Sequence, residues 1–159
     1  MAFKVIGNLD IENARLIFKN FKGEKSQYNR AGDRNFGVIL DYQTALKLQE
    51  DGWNVKIRPL KDGEDEPFCT MQVAVSFANI PPVITMIKRK GSVLLTEDTV
   101  DCLDFAEIKM VDLTIRPYNW TIQEGTKEEK SGVKAYLKEM FVTIEESAFA
   151  DKYNTDMNE

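Results

Sequence analysis

The strongest constraint on this chain is a pair of long alternating runs near its C-terminal end, "VDLTIRPYNWTI" (111–122) and "GVKAYLKEMFVTIEE" (132–146). In a strand, residues two apart share a face. Val111, Leu113 and Ile115 therefore make one apolar face, and Val133, Ala135 and Leu137 make a second. The polar segment "QEGTKEEKSG" (123–132) reads as a flexible arm between them. The two runs predict one long antiparallel hairpin, which needs another layer to cover its apolar side.

The rest of the chain supplies more strands. "NARLIFKNF" (13–21), "NFGVILD" (35–41), "WNVKIRP" (53–59), "CTMQVAVSF" (69–77), "PPVITMI" (81–87) and "SVLL" (92–95) all read as strands, with Met71, Val73, Val75 and Phe77 inward. "YQTALKLQEDG" (42–52) reads as a helix with Asp41 as N-cap and Gly52 as its stop. "EDTVDCLDFA" reads as a short helix capped by Thr96. The fold expected is mainly β, an OB-like antiparallel β-barrel with additional strands and one or two short helices. The 159 residues suit one domain over 1–146, followed by an acidic, flexible tail at 147–159.

The outward positions of the hairpin are unusual. Lys134, Tyr136 and Lys138 alternate cation, ring, cation at a spacing of about 7 Å. Arg116, Tyr118 and Trp120 fall on the same outer side of the other run if Pro117 keeps the phase. Single-stranded nucleic acid needs this mixture, cations for phosphate and flat rings for bases. "KRKG" adds Lys88, Arg89 and Lys90 at a hairpin tip, and "NVKIR" puts Lys56 and Arg58 on one outer face. In "YNRAGDRNF" (28–36), Tyr28 and Arg30 read as contact residues, Asp33 and Arg34 as residues that shape the loop, with Arg34 counted among the candidate cations, and Phe36 as an anchor to the core. The competing readings are a solvated charged face and a salt-bridged structural turn.

Net charge is −5, yet residues 1–60 carry ten Lys+Arg against seven Asp+Glu, so an acidic total hides a basic region. The absence of histidine removes the commonest general base and metal ligand. No phosphate-binding glycine loop or nucleophile elbow occurs, so no cofactor and no enzymatic activity are expected. Asp101, Asp104, Glu107 and Asp112 are the alternative, a Mg²⁺ cluster, against which stands a solvated acidic helix. Cys69 and Cys102 have no zinc spacing and read as reduced, buried thiols. No apolar run nears the roughly 20 residues of a membrane span, and no signal peptide is evident, so a cytoplasmic protein is expected.

The strings "YNRAGDRNF", "DGWNVK" and "RPYNW", within Ala14 to Glu146, resemble a group of single-stranded DNA-binding proteins of tailed bacteriophages and prophages. The resemblance implies an OB-type barrel that coats single strands during phage replication or recombination, in the host cytoplasm. The acidic tail is similar to the partner-recruiting tails of bacterial single-strand binders but lacks their aromatic end. Replication or recombination proteins are the partners it implies, with homo-oligomerisation open. The rival function is a protein-interaction module that inhibits or recruits a host protein.

Overall fold

The computed structural model describes residues 7–78 and 80–146. In chain order it has β1 (Leu9–Ile11), β2 (Arg15–Asn20), β3 (Arg34–Leu40), α1 (Tyr42–Glu50), β4 (Val55–Arg58), β5 (Phe68–Val75), β6 (Val83–Lys88), β7 (Gly91–Leu95), a 3-10 turn (Val100–Asp104), β8 (Ile108–Ile122) and β9 (Lys130–Ile144). The long hairpin forms as the alternation requires. β8 and β9 pair antiparallel from Ile108↔Ile144 to Ile122↔Lys130. Pro117 sits opposite Ala135 and leaves the alternation intact.

All nine strands belong to one sheet whose main path runs β1-β8-β9-β5-β3-β2. Two expectations are corrected here. The sheet is mixed, not antiparallel, and its ladder does not close into a barrel. β9 runs parallel to β5 at Ala74↔Tyr136 and parallel to β6 from Val83↔Glu139 to Ile87↔Thr143. The chain leaves β5, passes Pro81 and Pro82, and resumes in the same direction along the same edge of β9. Proline has no N–H to donate, so the ladder breaks there and restarts. Alternation shows which side chains point inward but not which way a neighbour runs.

The inward faces meet in one core that includes Phe21, Phe36, Met71, Ile84, Ile115, Leu137 and Met140. α1 covers part of it with Ala45 and Leu48, and Trp53 follows beneath. Asp41 caps α1, accepting from the Thr44 N–H at 3.4 Å, and Gly52 takes a φ of 104°. One register shift matters later. Leu137 pairs with Ile115 but Glu139 pairs with Thr114, so Lys138 is an inserted bulge residue. Burial accordingly changes from odd positions (133, 135, 137) to even ones (140, 142).

Other expectations shift locally. The second helix is only a 3-10 turn, with Thr99 at its N-cap in place of Thr96 and no side-chain capping bond. Cys69 is buried, but Cys102 is exposed because that turn is too short to bury both flanks. The joining arm is shorter than expected. Strand pairing extends to Lys130, and Gln123 and Gly125 close the turn with positive φ. The expected tail, 147–159, lies outside the described residues.

Candidate nucleic-acid interface

A groove of about 1000 Å³ lies between the loop at 25–35 and the outer face of the β8–β9 hairpin, with β5 as its floor. Backbone pairing explains the meeting. Arg116 pairs with Tyr136, Tyr136 with Ala74, and Ala74 with Asn35, so one transverse row links the hairpin to the foot of the loop. Odd positions of β5 are buried, so Gln72, Ala74 and Ser76 turn to the groove.

The loop is a built platform. Asn20 Oδ1 accepts from the N–H groups of Gly23 and Glu24 at 3.0 and 2.9 Å. Asn29 Nδ2 donates to the carbonyls of Glu24, Arg30 and Asp33 at 2.8, 3.0 and 2.9 Å, and Asn29 Oδ1 accepts from Asn35 at 2.8 Å. Gly32 N–H donates to the Gly23 carbonyl at 2.8 Å. A Cβ on Gly23 would lie 3.0 Å from the Gly32 backbone, and both glycines have positive φ, so this crossing requires glycine. Phe36 anchors the platform, fully buried and stacked on Phe21 at 5.2 Å between centroids. Arg34 is tied down: it donates to the Phe21 carbonyl at 2.6 Å and lies over the Phe77 ring. The side chains of Tyr28 and Arg30 stand clear of all this. Tyr28 is 91% exposed, and the Arg30 side chain makes an exposed ion pair with Asp33 at 3.6 Å.

The hairpin wall concentrates charge on rings. Tyr136 has the Arg116 guanidinium 4.7 Å and the Lys134 ammonium 5.1 Å from its centroid, and Tyr118 meets it edge-on at 6.0 Å. Arg116 Nε is buried with no hydrogen-bond partner. Trp120 lies across Gly132, its cross-strand partner, so closely that a Cβ there would come within 2.7 Å of the indole. Only glycine lets this ring lie flat on the opposite strand while lining the groove. The groove is lined by Lys25, Arg30, Arg34 and Lys134 against Asp33 and Glu97, so its balance is positive within an acidic chain.

Arg116 and Tyr118 contact Tyr136 but do not themselves line the groove, and the remaining candidates lie elsewhere. Lys56 is exposed on the groove side of β4, opposite Thr70 and beyond the groove's end. Arg58 is bound to Glu64 at 3.0 Å and lies over Phe68, which pins the acidic turn. Lys88, Arg89 and Lys90 are exposed at the β6–β7 tip, outside the groove, near enough to the 3-10 turn for Lys88 to act on Cys102. Lys138 is exposed at its bulge and does not line the groove. Of the Mg²⁺ alternative, Asp104 accepts from the Phe21 and Lys22 N–H groups and Asp112 from that of Asn13. No metal-holding cluster occurs among the described residues. Sequence reasoning missed Lys25, Asn29, Asn35, Gln72 and Phe77. Asparagine in a glycine-containing loop was the one available signal.

A family model described as "Putative phage ssDNA-binding domain" matches residues 1–158, and the chain belongs to that family. Two solved structures are similar in fold. The single-stranded DNA-binding protein from bacteriophage Enc34 has a TM-score of 0.52 at 11% identity, covering 92% of this chain and 90% of that one. Its C-terminal truncation gives 0.53 at 10%, covering 89% and 87%. Gp2.5 of bacteriophage T7, a single-stranded DNA-binding protein, aligns over 89% of this chain and 88% of its own at 10% identity, but a TM-score of 0.38 carries no weight for the fold. No curated protein matches the chain. The family makes this a single-stranded DNA-binding domain of phage type.

Proposed function

We propose that single-stranded DNA lies in the groove between the 25–35 loop and the β8–β9 hairpin. Lys25, Arg30, Arg116 and Lys134 meet phosphates, and Tyr28, Tyr118 and Trp120 offer open faces to bases. Tyr136 has cations on its ring and serves chiefly to mount Arg116 and Lys134. The observation that carries this reading is that cluster on the hairpin wall: Lys134 and Tyr136 line the groove, and Arg116 lies on the Tyr136 ring beside it with one guanidinium nitrogen unsatisfied. Stacking accepts any base, so sequence preference is weak.

The wider reading is a non-catalytic, OB-like binder that works in phage replication or recombination inside the host cytoplasm. The acidic tail recruits replication or recombination proteins in this view, and copies associate along the strand. No helix among the described residues is long and apolar enough to cross a membrane. Lys56, Lys88, Arg89, Lys90 and Lys138 are then secondary phosphate contacts outside the groove, and Arg34 and Arg58 are structural.

The test is a titration of labelled oligo-dT over a range of salt. Affinity should fall with a log–log slope of about −0.7 per phosphate contacted. A flat response refutes the electrostatic groove. No binding at low salt favours the protein-interaction module instead.

A further inference from the structure

The chain runs through β2 with normal pairing up to Ile17↔Gly37, and pairing resumes only at Asn20↔Asn35. In that gap Phe18 has a φ of 54°. A bulky side chain with positive φ is an outlier, since only glycine and a few small polar residues take that region at low cost. Regular alternation would send Phe18 to the side of Leu16, which packs on the core. Instead it is 73% exposed. The direction is clear from Gly37: a Cβ there would meet Ile17 Cγ2 at 3.0 Å and Phe18 Cδ2 at 3.7 Å. Phe36 and Val38 point into the core, so Gly37 opens the other way. Ile17 and Phe18 therefore share one face, which is the mark of a bulge.

The conformation is held from both sides. Upstream, Arg15 to Ile17 are paired with β3. Downstream, Lys19 Nζ donates to the carbonyls of Leu103 and Ala106 at 2.8 and 3.3 Å, and Asp104 accepts from the Phe21 and Lys22 N–H groups. Strain of this kind persists only where the surroundings over-determine it, and it gathers at functional positions.

The face onto which Phe18 is turned is the face of the groove. Gly37 pairs with Gln72, which lines the floor, and lies two residues along β3 from Asn35, which lines it too. The next step on that face is about 7 Å away, within reach of one more nucleotide. The edge of the Phe18 ring lies over Gly37, and with 73% of the residue exposed that contact does not amount to packing.

We propose that Phe18 is a further base-stacking residue, which extends the single-strand site past the groove's end across Gly37. This rests on the groove reading, and the bulge exists to present the ring.

The experiment measures affinity for two lengths of oligo-dT, one just long enough to fill the groove and one several nucleotides longer, with wild type, Phe18→Ala, Phe18→Gly and Trp120→Ala. Phe18→Ala should weaken the longer oligonucleotide roughly five- to hundred-fold and leave the short one nearly unchanged. Phe18→Gly should do the same while raising the midpoint of urea unfolding, because glycine accepts the positive φ. Trp120→Ala should weaken both lengths. If Trp120→Ala weakens both and Phe18→Ala weakens neither, the extension is wrong and the groove stands. If neither variant changes either length, the groove reading falls as well. Loss of binding to both lengths in Phe18→Gly, with folding intact, would also overturn the extension, since it would place Phe18 inside the minimal site.

Discussion

Gly132→Ala tests the groove without deleting a binding group. Gly132 does not have positive φ, so alanine can adopt its backbone without strain. The added methyl, however, would lie 2.7 Å from Trp120 Cζ2, 2.9 Å from Cε2 and 3.2 Å from Nε1. Ordinary carbon contacts need about 3.5–4.0 Å, so the indole must rise or swing by about 1 Å or more. Trp120 is half-exposed and outside the core cluster, so its displacement costs little in folding. Against that cost, Gly→Ala at a compatible site stabilises by about 0.4–1 kcal/mol through the unfolded chain. Net stability should therefore change by less than about 1 kcal/mol. A displaced base platform should lose part of the roughly 1–3 kcal/mol that stacking contributes, a weakening of up to about 150-fold. The assay is intrinsic fluorescence during oligo-dT titration, paired with urea unfolding. Trp53 is the only other tryptophan and is buried, so quenching on binding reports Trp120. Wild-type affinity and quenching in a folded Gly132→Ala protein would refute the stacking role of Trp120.

Arg30→Ala should leave stability within about 0.5 kcal/mol, because its ion pair is fully exposed, and should make the salt slope for oligo-dT shallower by about 0.7. A large drop in melting temperature would recast "YNRAGDRNF" as a structural turn. Asn29→Ala removes donors to three carbonyls, so it should cost about 1–2 kcal/mol, weaken binding, and speed exchange of the Gly32 amide, read by hydrogen exchange. Glu64 has its carboxyl held below the ordinary value near 4.5 by hydrogen bonds from Arg58 and from the Lys61 N–H. A depressed folded value means its contribution is full above the unfolded value and is lost as pH falls through the folded one. Glu64→Gln should thus flatten part of the acid-side fall in melting temperature; an unchanged acid limb would contradict that sign.

The hairpin and most of its outer face were legible because alternation is a local property. Val111, Leu113 and Ile115 had to share a face whatever they packed against, and Pro117 opposite Ala135 preserved the phase. Phe36 as anchor was legible for the same reason. The mixed sheet was not, since the parallel run of β6 along β9 depends on where the chain goes after Pro82. Nor was the division of labour among cations. Arg30 and Arg34 differ only in what surrounds them: one stands in solvent beside Asp33, the other is fixed by the Phe21 carbonyl. Arg58 likewise looked like an outward cation until Glu64 folded back onto it. Phe18 was hidden because a bulge breaks the rule by which strands are read.

The extra residue at Lys138 bears on how this chain can change length over evolution. Every side chain of β9 before it keeps odd positions inward, and every one after it keeps even positions inward. Deleting Lys138 itself would restore a regular ladder, with Leu137 and Met140 still inward, so the strand can lose a residue there and keep its core face. Losing one residue elsewhere between Val133 and Val142 would instead turn part of that face outward, at the expense of the packed interior or the groove. The turn at 123–129 carries no such penalty, because both flanking strands have by then run past the core into solvent. Changes of length among relatives should therefore gather at that turn and at the Lys138 bulge, and be rare elsewhere between Val133 and Val142.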